Sequence, residues 1–326
     1  MRILCITPSS EWMPYSLSHG LIPTLQRLGH EPKHLIVPDT DFKPIARYGD
    51  APLREARESA KRTELVLVTA AEKIDTAFWK DAPCPKALWF TDATGRKDTE
   101  YTPRYLYCQS LTPHLFFPAA QDAQSFSAHF LPFGVDVSIF HPMPEVKKQH
   151  GPSFIGHLYG ARKQWLLNLR SAGLQIETPD TTHPHWLPNH RHARARASEL
   201  ARLYNACTHI INLPAACQVY GTRVTEAMAC GIPLLNPTFP DFAAENRNAF
   251  LHPPREYDPR DPSTLRELLW CTHKLESHAK VCLQEVLARH TLEAKLQTLI
   301  QQTFKPTPRA PATSTPNPPN PHNHKP

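Results

Sequence analysis

The sequence predicts an α/β chain of two doubly wound parallel sheets, each a Rossmann-like domain, facing each other across a cleft. Three observations predict it. Short continuous apolar runs such as "RILCIT" and "LVLVTA" alternate with segments of helical periodicity, the pattern of parallel strands covered by helices on both faces. The alternation stops at a charged, proline-bearing connector, "HPMPEVKKQHGP" (141–152), and then starts again. The length of 326 residues also exceeds one ordinary domain of about 100–200 residues.

Taken in order, residues 2–7 read as a buried strand. Residues 17–30 read as a helix with Leu17, Leu21, Leu25 and Leu28 on one face, ended by Gly29 and His30. Strands follow at 32–38, 65–70, 86–92, 104–110 and 128–134, with a charged helix at 53–64. The second half opens with a strand and turn at 152–158, a helix at 160–173 ended by Gly173, and a strand at 174–179. Next come a helix at 196–207, a strand at 208–214, a short helix at 222–231 and a strand at 232–237. A helical stretch at 262–290, broken somewhere along its length, and a helix at 291–304 close the fold. The domains are therefore 1–143 and 144–305. The tail 306–326 is proline-rich and nearly free of large apolar side chains, so it reads as disordered.

Composition narrows the classes. Hydrophobic residues at 40% and charged residues at 20% are ordinary for a globular chain, and a net charge of +6 favours anionic ligands, from nucleotide phosphates to nucleic acid, as well as fitting plain solubility. The eight cysteines are scattered with no Cys-x-x-Cys pair and read as reduced, mostly buried thiols. The apolar run at the N-terminus is too short for a signal-peptide core, and none approaches the roughly 18 residues of a membrane span. The expected location is cytoplasmic, without stable membrane insertion. Neither half follows its first strand with a Gly-x-Gly-x-x-Gly fingerprint, which argues against a dehydrogenase. No short fixed-period repeat points to a solenoid.

Four stretches carry chemistry. In "GTRVTEAMACGIPLLN" (221–236), Glu226 falls about one turn into the short helix, among small residues that let another element approach. A carboxylate there suits the two hydroxyls of a ribose diol; the spacing equally fits a cap or a salt bridge to Arg223. In "FIGHLYGARKQWLLNL" (154–169), Gly156 ends a strand, Gly160 lies in the loop, and Arg162 with Lys163 enters a helix. That arrangement suits an anion such as diphosphate, or simply a basic first turn in solvent. His19 and Asp92 each follow a strand in the first half and stand as candidates to orient an acceptor hydroxyl, Asp92 also as a base, or as helix-start and turn residues. His183, His185, His190 and His192 lie among Arg191, Arg194 and Arg196. The nearby prolines and the lack of cysteines or acids there disfavour a closed zinc site, leaving a basic or solvated loop.

Together these motifs carry a resemblance. "FGVDVSIFHP" (133–142) resembles the inter-domain motif of GT-B glycosyltransferases. "TRVTEAMACGIPLL" resembles the donor-site helix of their retaining, family-4-like (group 1) members. The sequence resembles more closely still the spore-protein CgeB-like branch, through Phe-Ile-Gly with a following Arg, "ELARLYNACTHIINL", the Arg-x-x-Glu-Ala-x-x-Cys-Gly run and a late His290-Thr291 pair. The similarity spans roughly residues 130–304.

What the resemblance implies is a glycosyltransferase moving a sugar from a nucleoside-diphosphate sugar, with retention and without a metal or other cofactor. Glu226 would hold the donor ribose, and Arg162 with Lys163 would neutralise the departing diphosphate. Gly156, Gly221, Thr222, Arg223 and Thr225 would complete the nucleotide-sugar site. The family's first glutamate, facing the transferred sugar, is replaced here by Gln218, which still hydrogen-bonds hydroxyls but does not stabilise positive charge as a carboxylate does. The change fits altered donor specificity; it also motivates the alternative of a catalytically silent nucleotide-sugar-binding or interaction protein. The acceptor is open among a glycan, a protein, a metabolite and a modified DNA base, and so is the oligomeric state.

Overall fold

A computed structural model of the chain describes residues 1–9, 15–37, 50–91, 102–156, 158, 161–179, 190–213, 221–238 and 248–305. The first unit is a six-stranded parallel sheet. Its strands are β1 (Arg2–Pro8), β2 (Glu31–Val37), β3 (Leu65–Thr69), β4 (Lys86–Trp89), β5 (Leu115–Phe117) and β6 (His129–Phe130), in the order β2-β1-β3-β4-β5-β6. The apolar runs explain the centre: Ile3, Leu4, Cys5 and Ile6 of β1 and Leu65 to Val68 of β3 are wholly buried and pair in register from Ile3 with Leu65 to Ile6 with Val68. The strand order reverses direction at β1 and β3, which opens a crevice at their carboxyl ends. Helix α1 (Tyr15–Arg27) covers one face with Leu17, Leu21 and Leu25, and α2 (Asp50–Ala60) covers the other with Ala56 and Ala60.

Residues 104–110 differ from the expected strand: they lie in helix α3 (Thr102–Leu111). The two tyrosines favour a strand, but Pro103 suits a first helical turn. Burial also follows a helical spacing, with Tyr105 and Cys108 inside and Leu106 and Tyr107 exposed. The strand position is taken instead by β5, followed by α4 (Ala120–Ser125). The strand expected at 128–134 shortens to β6 because Pro132 has no N–H to extend the ladder.

The second unit is a four-stranded parallel sheet of β7 (His150–Ser153), β8 (Cys207–Ile211), β9 (Leu234–Pro237) and β10 (Arg255–Tyr257), in the order β10-β9-β8-β7. Around it lie α5 (Ala161–Ser171), α6 (His190–Ala206), α7 (Arg223–Ala229), α8 (Pro262–Trp270) and α9 (Thr272–Glu285). The long C-terminal helical stretch breaks at Cys271, between α8 and α9. The strand expected at 174–179 reduces to one bridge between Ser153 and Glu177. It alternates buried and exposed residues like a strand, but it meets the sheet only at this edge.

A π-helical turn, Val286–His290, leads the chain back to the first unit, where α10 (Leu292–Phe304) is capped by the Thr291 hydroxyl accepting from Ala294 N–H at 3.1 Å. Leu292, Leu296 and Leu299 pack with Leu17, Leu21, Leu25 and the inner strands. A helix that chain order groups with the second unit thus completes the core of the first. The two passes between units are joined: Val135 N–H donates to His290 C=O and Leu292 N–H to Val135 C=O, both at 2.9 Å. Gly134 permits this approach, since a Cβ there would sit 2.7 Å from Leu292 Cα.

No helix among the described residues is long and apolar enough to cross a membrane. The seven described cysteines are free thiols.

Candidate functional site

The carboxyl ends of β7 and β8 gather the polar groups of the second unit. Beyond β7 the chain runs Phe154, Ile155, Gly156, with Gly156 at φ +133°, a conformation that favours glycine. Space demands glycine as well, because a Cβ would collide with Nη2 of Arg223. Arg223 opens α7. Its Nε donates to Ile155 C=O at 2.6 Å, its Nη1 donates to Asn212 Oδ1 at 2.8 Å, and its Cζ stands 4.7 Å from the centroid of the buried Phe154 ring. Arg162, on α5, donates from Nε to Leu213 C=O at 3.1 Å, with its Cζ 5.8 Å from the same centroid. Two guanidinium groups thus converge on one aromatic ring, that of Arg223 held by the ring's negative face and by neutral carbonyl and amide oxygens.

Glu226 sits one turn further along α7 and is 2% exposed. The Tyr204 hydroxyl, from α6, donates to its Oε2 at 3.1 Å. Its Oε1 is buried without a hydrogen-bond partner among the described residues. Burial raises the carboxyl pKa to about 7, against the opposing influence of Tyr204, Thr222 and Arg223. Burial, then the neighbouring Glu226 charge, likewise pushes the Tyr204 hydroxyl well up, so it stays a donor. Arg223 does not form the salt bridge to Glu226 that the spacing allowed; its guanidinium turns to β7 and β8 instead.

The remaining expected residues fall in three groups. Thr225 is buried with its hydroxyl on Thr222 C=O, half-buried Thr222 leads into α7, and Gly221 is exposed with open space around it. Lys163 is exposed, one residue beyond Arg162 and about 100° around the helix. His19 is half-buried on α1, far along the chain from these groups. Its neighbour Gly20 lies against Asp136 and Leu292, where the two units meet. Asp92, Gly160, Gln218, His183 and His185 lie outside the described residues. His190, Arg191, His192, Arg194 and Arg196 lie within α6, with only their backbone described.

The first unit contributes a buried carboxylate that its sequence did not single out. After β3, Ala70 takes a left-handed conformation at φ 50°, and Glu72 is wholly buried. It accepts Thr91 N–H at 3.1 and 3.3 Å and the Thr91 hydroxyl at 2.5 Å. The clamp fixes where the chain leaves β4, one residue before Asp92. Tyr204 and Asn212 were equally unforeseen. Asn212 had a readable signal, since "HIIN" and "PLLN" each end an apolar strand in asparagine at the carboxyl edge.

Residues 146–301 match a protein-family model described as glycosyl transferase-like. A comparison with curated protein sequences finds no match. Among solved structures, the chain is similar to sucrose-phosphate synthase from Thermosynechococcus elongatus, with TM-score 0.64 and 12% identity over 93% of this chain and 99% of that one. It is also similar to a glycosyltransferase from Rickettsia africae, with TM-score 0.60 and 13% identity over 93% and 97%. A third is HepE from Anabaena, solved in complex with UDP and glucose, with TM-score 0.62 and 12% identity over 93% and 99%. At such identities the likeness is one of fold: two Rossmann-like domains in the GT-B arrangement of glycosyltransferases.

Proposed function

We propose that this protein transfers a sugar from a nucleoside-diphosphate sugar to an acceptor, with retention at the anomeric carbon and without a metal ion. The observation that carries the reading is the pairing of a buried Glu226 Oε1, unpartnered among the described residues, with the Arg223 and Arg162 guanidiniums gathered over Phe154. A carboxylate oxygen with no donor suits a ribose hydroxyl, and guanidiniums suit the diphosphate. HepE, of the same fold, was solved with UDP-glucose.

In this reading Tyr204 holds Glu226 Oε2 while a ribose hydroxyl donates to Oε1. The bond from the anomeric carbon to the diphosphate breaks as the acceptor oxygen bonds to that carbon, and the acceptor proton passes to a base. Arg162 and Arg223, with Lys163 at the rim, meet the charge growing on the leaving group, the task a metal would otherwise perform. Gly156, Gly221, Thr222 and Thr225 shape the pocket, and Gln218 faces the transferred sugar. On the first unit, Asp92 and His19 orient the acceptor, with Asp92 as the base. The order of motifs supports a place in the CgeB-like branch, and the free thiols support a cytoplasmic setting.

Incubation with a panel of UDP, GDP, ADP and TDP sugars, with and without EDTA, tests this. Transfer or slow donor hydrolysis that survives EDTA supports the enzyme. Tight binding with no turnover, unaltered in Gln218→Glu, replaces it with the silent nucleotide-sugar-binding protein.

A further inference from the structure

Arg223 is the end of a buried polar relay that crosses the whole second sheet. Asn212, the first residue after β8, is 2% exposed and, besides its backbone N–H bond to Leu235 C=O, engages three side chains. Its Oδ1 accepts Arg223 Nη1 at 2.8 Å, its Nδ2 donates to Asn236 Oδ1 of β9 at 3.0 Å, and its backbone C=O accepts the Tyr257 hydroxyl of β10 at 2.9 Å. Burial keeps the Tyr257 hydroxyl protonated, so it remains a donor. Arg223 Nε is anchored on Ile155, just beyond β7. All four strands therefore help to aim one guanidinium. Its Nη2 lies against Gly156 and has no acceptor among the described residues.

We propose that Asn212 is a positioning residue that orients Arg223 toward the donor diphosphate while leaving the guanidinium charge uncancelled. The inference rests on the nucleotide-sugar reading above. The amide cannot turn over, because that would set its NH2 against the guanidinium N–H groups. An alanine would leave Nη1 unmatched and the guanidinium free to swing. A carboxylate would hold the direction but bind the cation as an ion pair, and in a half-buried setting that pair competes with an incoming phosphate. The amide supplies direction without neutralisation. The same logic explains why the amide is itself held by a second amide, Asn236, rather than by an acid.

Calorimetric binding of inorganic pyrophosphate, of a nucleoside and of its diphosphate to the full chain tests this in the wild type, Asn212→Asp and Asn212→Ala. Asn212→Asp is expected to weaken pyrophosphate and diphosphate by about tenfold or more and to leave the nucleoside within about twofold. Asn212→Ala is expected to lose diphosphate selectively as well, and decides the matter should the aspartate variant fail to fold. Equal losses for nucleoside and diphosphate, or no loss, overturn the positioning role while the nucleotide-sugar reading stands. A wild type that binds neither pyrophosphate nor any nucleoside diphosphate overturns the reading itself, and the inference with it.

Discussion

The Tyr204 hydroxyl donates to one oxygen of Glu226 while the other has no hydrogen-bond partner among the described residues, and both side chains are buried. A buried carboxylate with one donor is under-satisfied, which costs about 1–3 kcal/mol. A ligand hydroxyl relieves that cost on arrival.

Removing the tyrosine hydroxyl takes away the donor to Glu226 Oε2. Tyr204→Phe is expected to lower stability by about 1–3 kcal/mol and to weaken nucleotide binding most at neutral pH, where the carboxyl must ionise. Urea melts and a pH series of nucleotide affinities check it; an affinity loss equal at all pH values would refute the link to ionisation.

Two buried groups give opposite pH signatures. Glu226 holds its proton up to about pH 7, against 4.5 when free. The folded state therefore binds more protons between those values, and stability falls by about 3 kcal/mol as pH rises through the window. His290 is held down to about 3, by burial first and then by Lys295 and Arg289. There the unfolded chain binds the extra proton, so stability is complete above 6.5 and falls by about 3 kcal/mol on acidification to pH 4. Melting temperatures across pH 4–8 should lose the first trend in Glu226→Gln and the second in His290→Leu. Unchanged slopes would contradict the assignments.

Gly156→Ala should be costly twice over. The backbone is in a region that L side chains rarely adopt, worth about 1–3 kcal/mol, and the new methyl displaces Arg223. Expected is a destabilised protein with diphosphate affinity down about tenfold and nucleoside affinity nearly unaltered. Wild-type diphosphate affinity in this variant would show that the arginine does not meet phosphate.

Leu296 is fully buried against the first sheet, so Leu296→Ala should cost about 2–5 kcal/mol. Truncation after residue 305 should leave the melting profile intact, whereas truncation after 290 should unfold the first unit, read by hydrogen exchange at β1 and β3. Survival of those strands would contradict the shared core.

The strands built from unbroken apolar runs, β1 and β3, are readable in the sequence because burial on both faces forces that pattern, and β8 and β9 are readable from the shorter apolar pairs Ile210–Ile211 and Leu234–Leu235. Helix α3 and the three-residue β5 and β10 are not. The first carries strand-favouring tyrosines two residues apart, as on one face of a strand, and short strands take their identity from neighbours rather than from their own residues. At the site, Glu226, Arg162 and Gly156 stand out by spacing and charge. Asn212, Tyr204 and Glu72 do not, since an asparagine, a tyrosine or a glutamate declares its partner only when another strand or helix is brought beside it.

The dependence of the first sheet on α10 also bears on how the chain is made. About 160 residues are translated between β6 and α10, which at about 5–20 residues per second takes roughly 8–30 s. Through that interval the nascent first half waits on the ribosome with an oily stripe uncovered, and its maturation is tied to the last helix leaving the exit tunnel.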